Sequence, residues 1–126
     1  MDGDEIVART LSPITAYQTF KDIDGKNKTI YFSPAEREFI ELLEKNLQRK
    51  HKVFYGSEFD GDIVIEPLEV DCLRDYRKVL YKGTVVKGWH GKFRLKAPPE
   101  ILKLALYAGL GSKNSQGFGM IKRQDE

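Results

Sequence analysis

Hydrophobic positions change their period along the chain, and the changes divide it into elements. Ile6 to Thr10 alternates weakly and predicts a first strand, stopped at Ser12-Pro13. ITAYQTF (14–20) and KTIYF (28–32) are rich in β-branched and aromatic residues. The turn signal DIDGKN (22–27) between them predicts a hairpin. Apolar residues then move to helical spacing at Ala35, Phe39, Leu42, Leu43 and Leu47. Ser33, Pro34 and Glu36 ahead of that stripe predict an N-cap, a first helical residue and the glutamate of a capping box. A connection with Gly56 and Gly61 leads to a strand over Ile63–Val70, where Pro67 signals an edge or a bulge. Arg74 to Tyr81 predicts another strand, turned by Lys82-Gly83. Thr84 to Lys96 predicts one long strand. Its odd positions include Val85, Trp89, Phe93 and Leu95, and its even positions His90, Lys92, Arg94 and Lys96. Pro98-Pro99-Glu100 opens a second helix, whose residues 101–108, ILKLALYA, are apolar nearly all round and end at Gly109. A glycine-rich loop and a last strand, Phe118 to Arg123, follow, and Gln124 to Glu126 is expected to fray.

Reduced to essentials, the order is βαββαβ. That is the α+β ferredoxin-like plan, with an extra β-hairpin before the first helix. Right-handed crossovers put both helices on one face of an antiparallel sheet and leave the other face free for basic side chains. The 126 residues suffice for one such domain, spanning 1–126.

Composition narrows the class. Hydrophobic residues make up 40% and charged residues 32%, which suits a folded globular chain rather than a disordered one. No apolar run approaches the ~20 residues of a membrane span. The acidic start, MDGDEIVAR, has no apolar signal region, so neither membrane nor secretion is expected. The single cysteine, Cys72, excludes an internal disulfide and fits a reducing, cytoplasmic compartment. There is no zinc spacing, carboxylate cluster or Walker loop, so no metal or other cofactor is expected. The net charge of +2 hides an asymmetry. Residues 1–70 carry nine basic and fourteen acidic side chains, whereas residues 71–123 carry twelve and three. A basic carboxyl-terminal half points to a polyanionic partner.

The candidate chemistry lies in that half. In GLGSKNSQGFGM, Gly109, Gly111, Gly117 and Gly119 follow the pattern G-x-G-x5-G-x-G. They surround Ser112, Lys113, Asn114, Ser115 and Gln116, all hydrogen-bond donors. Glycine permits positive φ and close approach, and consecutive N–H groups can converge on an anion, so a phosphate or phosphodiester is the first ligand to consider. A helix cap followed by a loose loop accounts for one or two of these glycines, not four. On the long strand, cations on alternate residues repel. Either a phosphate chain crosses that face or the cations keep an exposed face soluble. Lys87, His90, Lys92 and Arg94 are the candidates for neutralising a backbone, and Ser112 to Gln116 for contacts to phosphate and 2′-OH. Trp89, Tyr107 and Phe118 either stack on bases or pack in the core. The RKHK cluster reads as a solvated helix end with His51 as a capping cation. His90 alone does not make an acid–base pair, so no catalytic residue is assigned.

The segment GLGSKNSQGFGMIK, preceded by KGWHGKFRLKAPPEILKLALYAG, resembles the carboxyl-terminal end of the CRISPR-associated repeat-processing endoribonucleases. These are the Cas-six family of repeat-associated RNA-binding proteins. SPI and YFSPAEREFIELLEKNLQRKH upstream are similar to the same family. The likeness covers essentially the whole chain but only the carboxyl-terminal half of a typical member. It implies two tandem ferredoxin-like domains, of which this is the second. It also implies binding of CRISPR repeat RNA and metal-independent cleavage of the precursor. The glycine-rich loop, matched by Gly109, Gly111, Gly117 and Gly119, then sits beside the last helix and helps hold RNA. The family's catalytic group belongs to the first domain, so an amino-terminal half of the same protein is the implied second partner. A non-catalytic subunit that coats RNA in a CRISPR effector complex is the alternative, and a small-molecule-binding regulatory domain is a third.

Overall fold

The computed structural model describes residues 4–125; Met1–Gly3 of the acidic start and Glu126 of the tail lie outside them. In chain order the elements are β1 (Glu5–Thr10), β2 (Tyr17–Lys21), β3 (Asn27–Tyr31), α1 (Arg37–Tyr55), β4 (Val64–Glu69), β5 (Tyr76–Tyr81) and β6 (Thr84–Trp89). They continue with β7 (Lys92–Lys96), α2 (Pro99–Ala108), a 3-10 turn (Asn114–Gln116) and β8 (Ile121–Arg123).

Four strands form the central sheet in the order β4-β7-β1-β8, all neighbours antiparallel. With α1 before β4 and α2 before β8, this is the ferredoxin-like plan. Ile6, Ala8, Phe93 and Leu95 point from the sheet into one core with Phe39, Leu43 and Leu47 of α1 and Ile101, Leu102 and Ala105 of α2. Both helices therefore cover the same sheet face. Phe39 is the centre of that layer, stacked on Phe93 at 6.3 Å and edge-on to Trp89 at 6.5 Å. β4 is an edge strand, and its register shifts between Pro67 and Glu69, so Pro67 marks both an edge and a bulge. Beyond β8, the Gln124 N–H donates to Val7 O at 2.8 Å, which ties down the start of the tail expected to fray.

The long strand over Thr84–Lys96 is two strands in two sheets. β6 pairs with β5 in a separate hairpin, and β7 pairs with β1 and β4. The chain changes sheets at His90-Gly91. There the His90 N–H donates to Asp75 O, and Gly91 lies so close to Val70 and Glu69 that a side chain would collide. Both halves stay extended, so period two runs through the break unseen. The fold thus carries two added hairpins, β2–β3 and β5–β6, where one was expected.

α1 begins three residues later than its signal. Pro34 to Glu36 form a turn, and Glu36 rather than Ser33 is the N-cap. Half of the capping box survives: the Ser33 N–H donates to Glu36 Oε1 at 2.7 Å. The late start leaves Ala35 exposed, and the buried stripe is Phe39, Leu43, Leu47 and His51. His51 is no solvated capping cation, being only 4% exposed. It lies between the rings of Tyr55 and Phe59, with Nδ1 3.0 Å from Ser57 O and Nε2 3.1 Å from Glu100 of α2. It fastens the end of one helix to the start of the other.

Candidate nucleic-acid interface

The glycine-rich loop is a tightly closed knot. Leu110 and Phe118 anchor it in the interior. Gly111 lies against Thr15 O, and Gly119 against Leu110 O, at distances no Cβ could occupy. Gly119 also has φ +76°, a conformation that L side chains rarely adopt. Gly109 is packed against Gly119 and Asn114, while Gly117 faces open space. The N–H groups of Leu110, Ser112 and Gly119 donate to Gly119 O, Thr15 O and Pro13 O. Those of Gln116, Gly117 and Phe118 donate to carbonyls of Lys113 and Asn114. The Asn114 side chain donates to Leu110 O and Phe118 O. An anion nest built on those N–H groups is therefore not formed: four of them close the loop on itself, and those of Ser112 and Gly119 bind it to Thr15 and Pro13. Lys50 of α1 completes the knot, its Nζ donating to Gly109 O at 2.8 Å and Gly111 O at 3.3 Å. Burial pushes the Lys50 ammonium pKa down to about 8. Outward, the loop offers the exposed Ser115 and Gln116 and the half-buried Ser112 and Lys113.

The strand cations separate. Lys92 and Arg94 lie on the central sheet, opposite carboxylates of neighbouring strands. Lys92 pairs with Glu69 at 3.3 Å, and Arg94 with Glu5 at 3.5 Å and Glu66 at 3.9 Å. Those acids answer the like-charge repulsion expected along the strand, so no crossing phosphate chain is needed to explain it. His90 sits between the sheets, its Nδ1 2.9 Å from Thr10 Oγ1. Burial lowers its pKa, the Arg77 charge adds to that, and Asp75 opposes it. His90 is accordingly neutral at neutral pH and is not a standing cation.

Lys87 belongs to the β5–β6 hairpin, where it stands directly opposite Lys78. Both are exposed, and neither has an ion-pair partner among the described residues. Like charges facing each other across a ladder destabilise it. Arg77 and Lys82 of the same hairpin are also without a carboxylate partner among the described residues; Lys82 rests over Tyr81 and Arg77 donates to backbone carbonyls. Arg77, Lys78 and Lys82 were missed from sequence. RDYRKVLYKG contains them, but they do not alternate along the strand as the cations of the next segment do, so no local pattern marks them. The hairpin's inner face packs through the buried Val86 and Gly88, the latter touching Pro13 and Ile14.

Residues 12–17 join this hairpin to the loop. The Ser112 N–H donates to Thr15 O at 2.9 Å, and Thr15 Oγ1 donates to Lys87 O at 2.8 Å. Lys113 Nζ lies 5.1 Å from the centre of the Tyr17 ring. Tyr17 meets Tyr31 at 5.6 Å, and the Tyr31 hydroxyl donates to Val85 O at 3.2 Å. Lys113, Tyr17, Tyr31 and Lys87 thus follow one another over one surface. Trp89 and Phe118 are core residues, 7% and 4% exposed. Tyr107 is exposed and meets Phe54 of α1 edge-on. Among the described residues, no group of three His, Cys, Asp or Glu could hold a metal ion, and no helix is long and apolar enough to cross a membrane.

Residues 1–123 match the family described as CRISPR associated protein Cas6, C-terminal. The chain belongs to the Cas6 family. It is 32% identical over 117 residues to the CRISPR-associated endoribonuclease Cas6 of Pyrococcus furiosus, covering 90% of this chain and 40% of that protein. It is 29% identical over 115 residues to CRISPR-associated endoribonuclease Cas6 1 of Methanocaldococcus jannaschii, covering 91% and 44%. A solved structure described as an RAMP protein binding different RNA substrates superimposes with a TM-score of 0.84 at 25% identity, covering 95% of this chain and 48% of that one. The chain therefore spans less than half the length of these Cas6 relatives.

Proposed function

We propose that this chain is the carboxyl-terminal, RNA-binding half of a CRISPR repeat-RNA endoribonuclease of the Cas6 family. The observation that carries this reading is the set of unpaired cations on β5–β6, joined through Tyr31 and Tyr17 to Lys113 on the loop. Single-stranded RNA is held by cations that track its phosphates and by aromatic rings beside them. Lys78, Lys87 and Lys113 contact phosphate; Ser112, Ser115 and Gln116 supply hydrogen bonds to phosphate or 2′-OH. Gly109, Gly111 and Gly119 shape the loop from within. Cleavage needs an amino-terminal half that supplies the catalytic group, acts on the ribose 2′-OH and uses no metal. A cytoplasmic location goes with a transcript as substrate.

Labelled repeat RNA tests this. Binding by the chain is expected, with log affinity falling against log salt at a slope of about −2 if three lysines each neutralise a phosphate of a single strand. Cleavage is expected only when an amino-terminal half is added, and in the presence of chelator. Binding without cleavage under every such condition supports a subunit that coats RNA. Salt-insensitive or absent binding overturns both.

A further inference from the structure

A cleft of about 300 Å³ opens beside Lys87, where the β2–β3 hairpin, the start of α1 and the base of β5–β6 meet. Its walls include Tyr31, Tyr76 and Trp89, with Leu73 and Lys87 beside them. Tyr76 and Trp89 face each other across the ladder with ring centres 5.1 Å apart. The indole is immobilised: its N–H donates to Cys72 O at 2.9 Å, and its ring packs nearly perpendicular to Phe39. Tyr31 is held by its bond to Val85 O. Leu73 is 90% exposed although apolar. The backbone keeps it there, since Asp71 Oδ1 accepts the N–H groups of Leu73 at 3.0 Å and Arg74 at 2.8 Å. Those bonds also hold the Asp71 carboxyl below its ordinary pKa. Among the described residues the cleft has one carboxylate, Glu36, which is engaged by the Ser33 N–H.

Flat rings set in place, an apolar residue held out in water and one unpaired cation suit a flat aromatic ligand that carries a negative charge. The volume is at the small end for a ligand site, enough for one ring system and too little for a stacked duplex. We infer that this cleft takes a single unpaired nucleobase of the bound RNA, stacked among Tyr31, Tyr76 and Leu73, with its phosphate on Lys87. This rests on the RNA-binding reading above and adds to it where one base leaves the strand. The track of Lys113, Tyr17 and Tyr31 leads to the cleft, so a strand on the loop reaches it without crossing the paired acids of the central sheet.

Trp89 is the only tryptophan of the chain, so its fluorescence reports on this cleft. End-labelled hexaadenylate and an abasic hexamer of the same ribose-phosphate backbone are titrated at low salt, reading anisotropy for binding and indole emission for the cleft. Hexaadenylate is expected to bind and quench; the abasic hexamer is expected to bind about tenfold more weakly and leave emission unchanged. Leu73→Asp, at a surface position that leaves the circular dichroism unchanged, is expected to abolish quenching and weaken hexaadenylate by about tenfold. Salt-sensitive binding without quenching, with Leu73→Asp binding like the parent, overturns the base cleft and leaves RNA binding standing. No change in anisotropy with either oligomer overturns both.

Discussion

Gly119 and Gly117 look alike in sequence and differ in what surrounds them. Both have positive φ, but a Cβ on Gly119 collides with Leu110 O and one on Gly117 meets nothing. Gly117→Ala is expected to cost about 1–2 kcal/mol, the backbone term alone. Gly119→Ala adds a collision with main chain and is expected to cost more than about 4 kcal/mol or to prevent folding. Urea denaturation of the two variants checks the ranking. Lys50 is a second residue whose role lies in its surroundings. Lys50→Met leaves the carbonyls of Gly109 and Gly111 without their donor and is expected to cost about 1–3 kcal/mol. Because the folded-state pKa is depressed to about 8, the unfolded chain binds the Lys50 proton more tightly. The burial penalty is complete below that pH and is relieved above it. Parent stability, taken relative to Lys50→Met, should rise between about pH 8 and about pH 10. A flat difference in the denaturation midpoints over that window would show that the ammonium is hydrated.

At the scale of elements, the β5–β6 hairpin and β7 carry similar numbers of cations with different neighbours. β7 lies between strands that bring Glu5, Glu66 and Glu69 to it. The outer face of β5–β6 has Lys78 opposite Lys87 and no acid against either among the described residues. Replacing both with glutamine is expected to weaken RNA binding by about tenfold at moderate salt and to reduce the salt slope by about 1.4. The same replacement of Lys92 and Arg94 should leave the slope nearly unchanged, while unpairing three carboxylates. Fluorescence anisotropy across a salt series separates the two pairs. An equal loss from both pairs would show that the strand crosses the central sheet as well. Relief of the Lys78–Lys87 repulsion should also raise the stability of the first variant by a few tenths of a kcal/mol.

Over the whole molecule, the order of strands and helices was plain in the sequence. Each core element carries its own period, and local periodicity needs no knowledge of what lies opposite. The hairpin β2–β3, the bulged edge at Pro67, the apolar α2 and the glycine-rich segment were legible for that reason, as was the likeness to the family. The split of residues 84–96 was not, because the break is a close approach of Gly91 to a distant strand. The role of His51 was hidden because its partners, Ser57 and Glu100, come from beyond its own helix. Charge was the least legible property. A row of lysines and arginines looks the same whether a carboxylate faces it or not, and pairing depends on register between strands far apart in the chain. The chain's own order of residues therefore settled the central βαββαβ plan and the basic character of its second half. Folding alone sorted which cations are free, which glycines are packed, and which rings line a cleft, because each of those is a relation between segments that only meet in space.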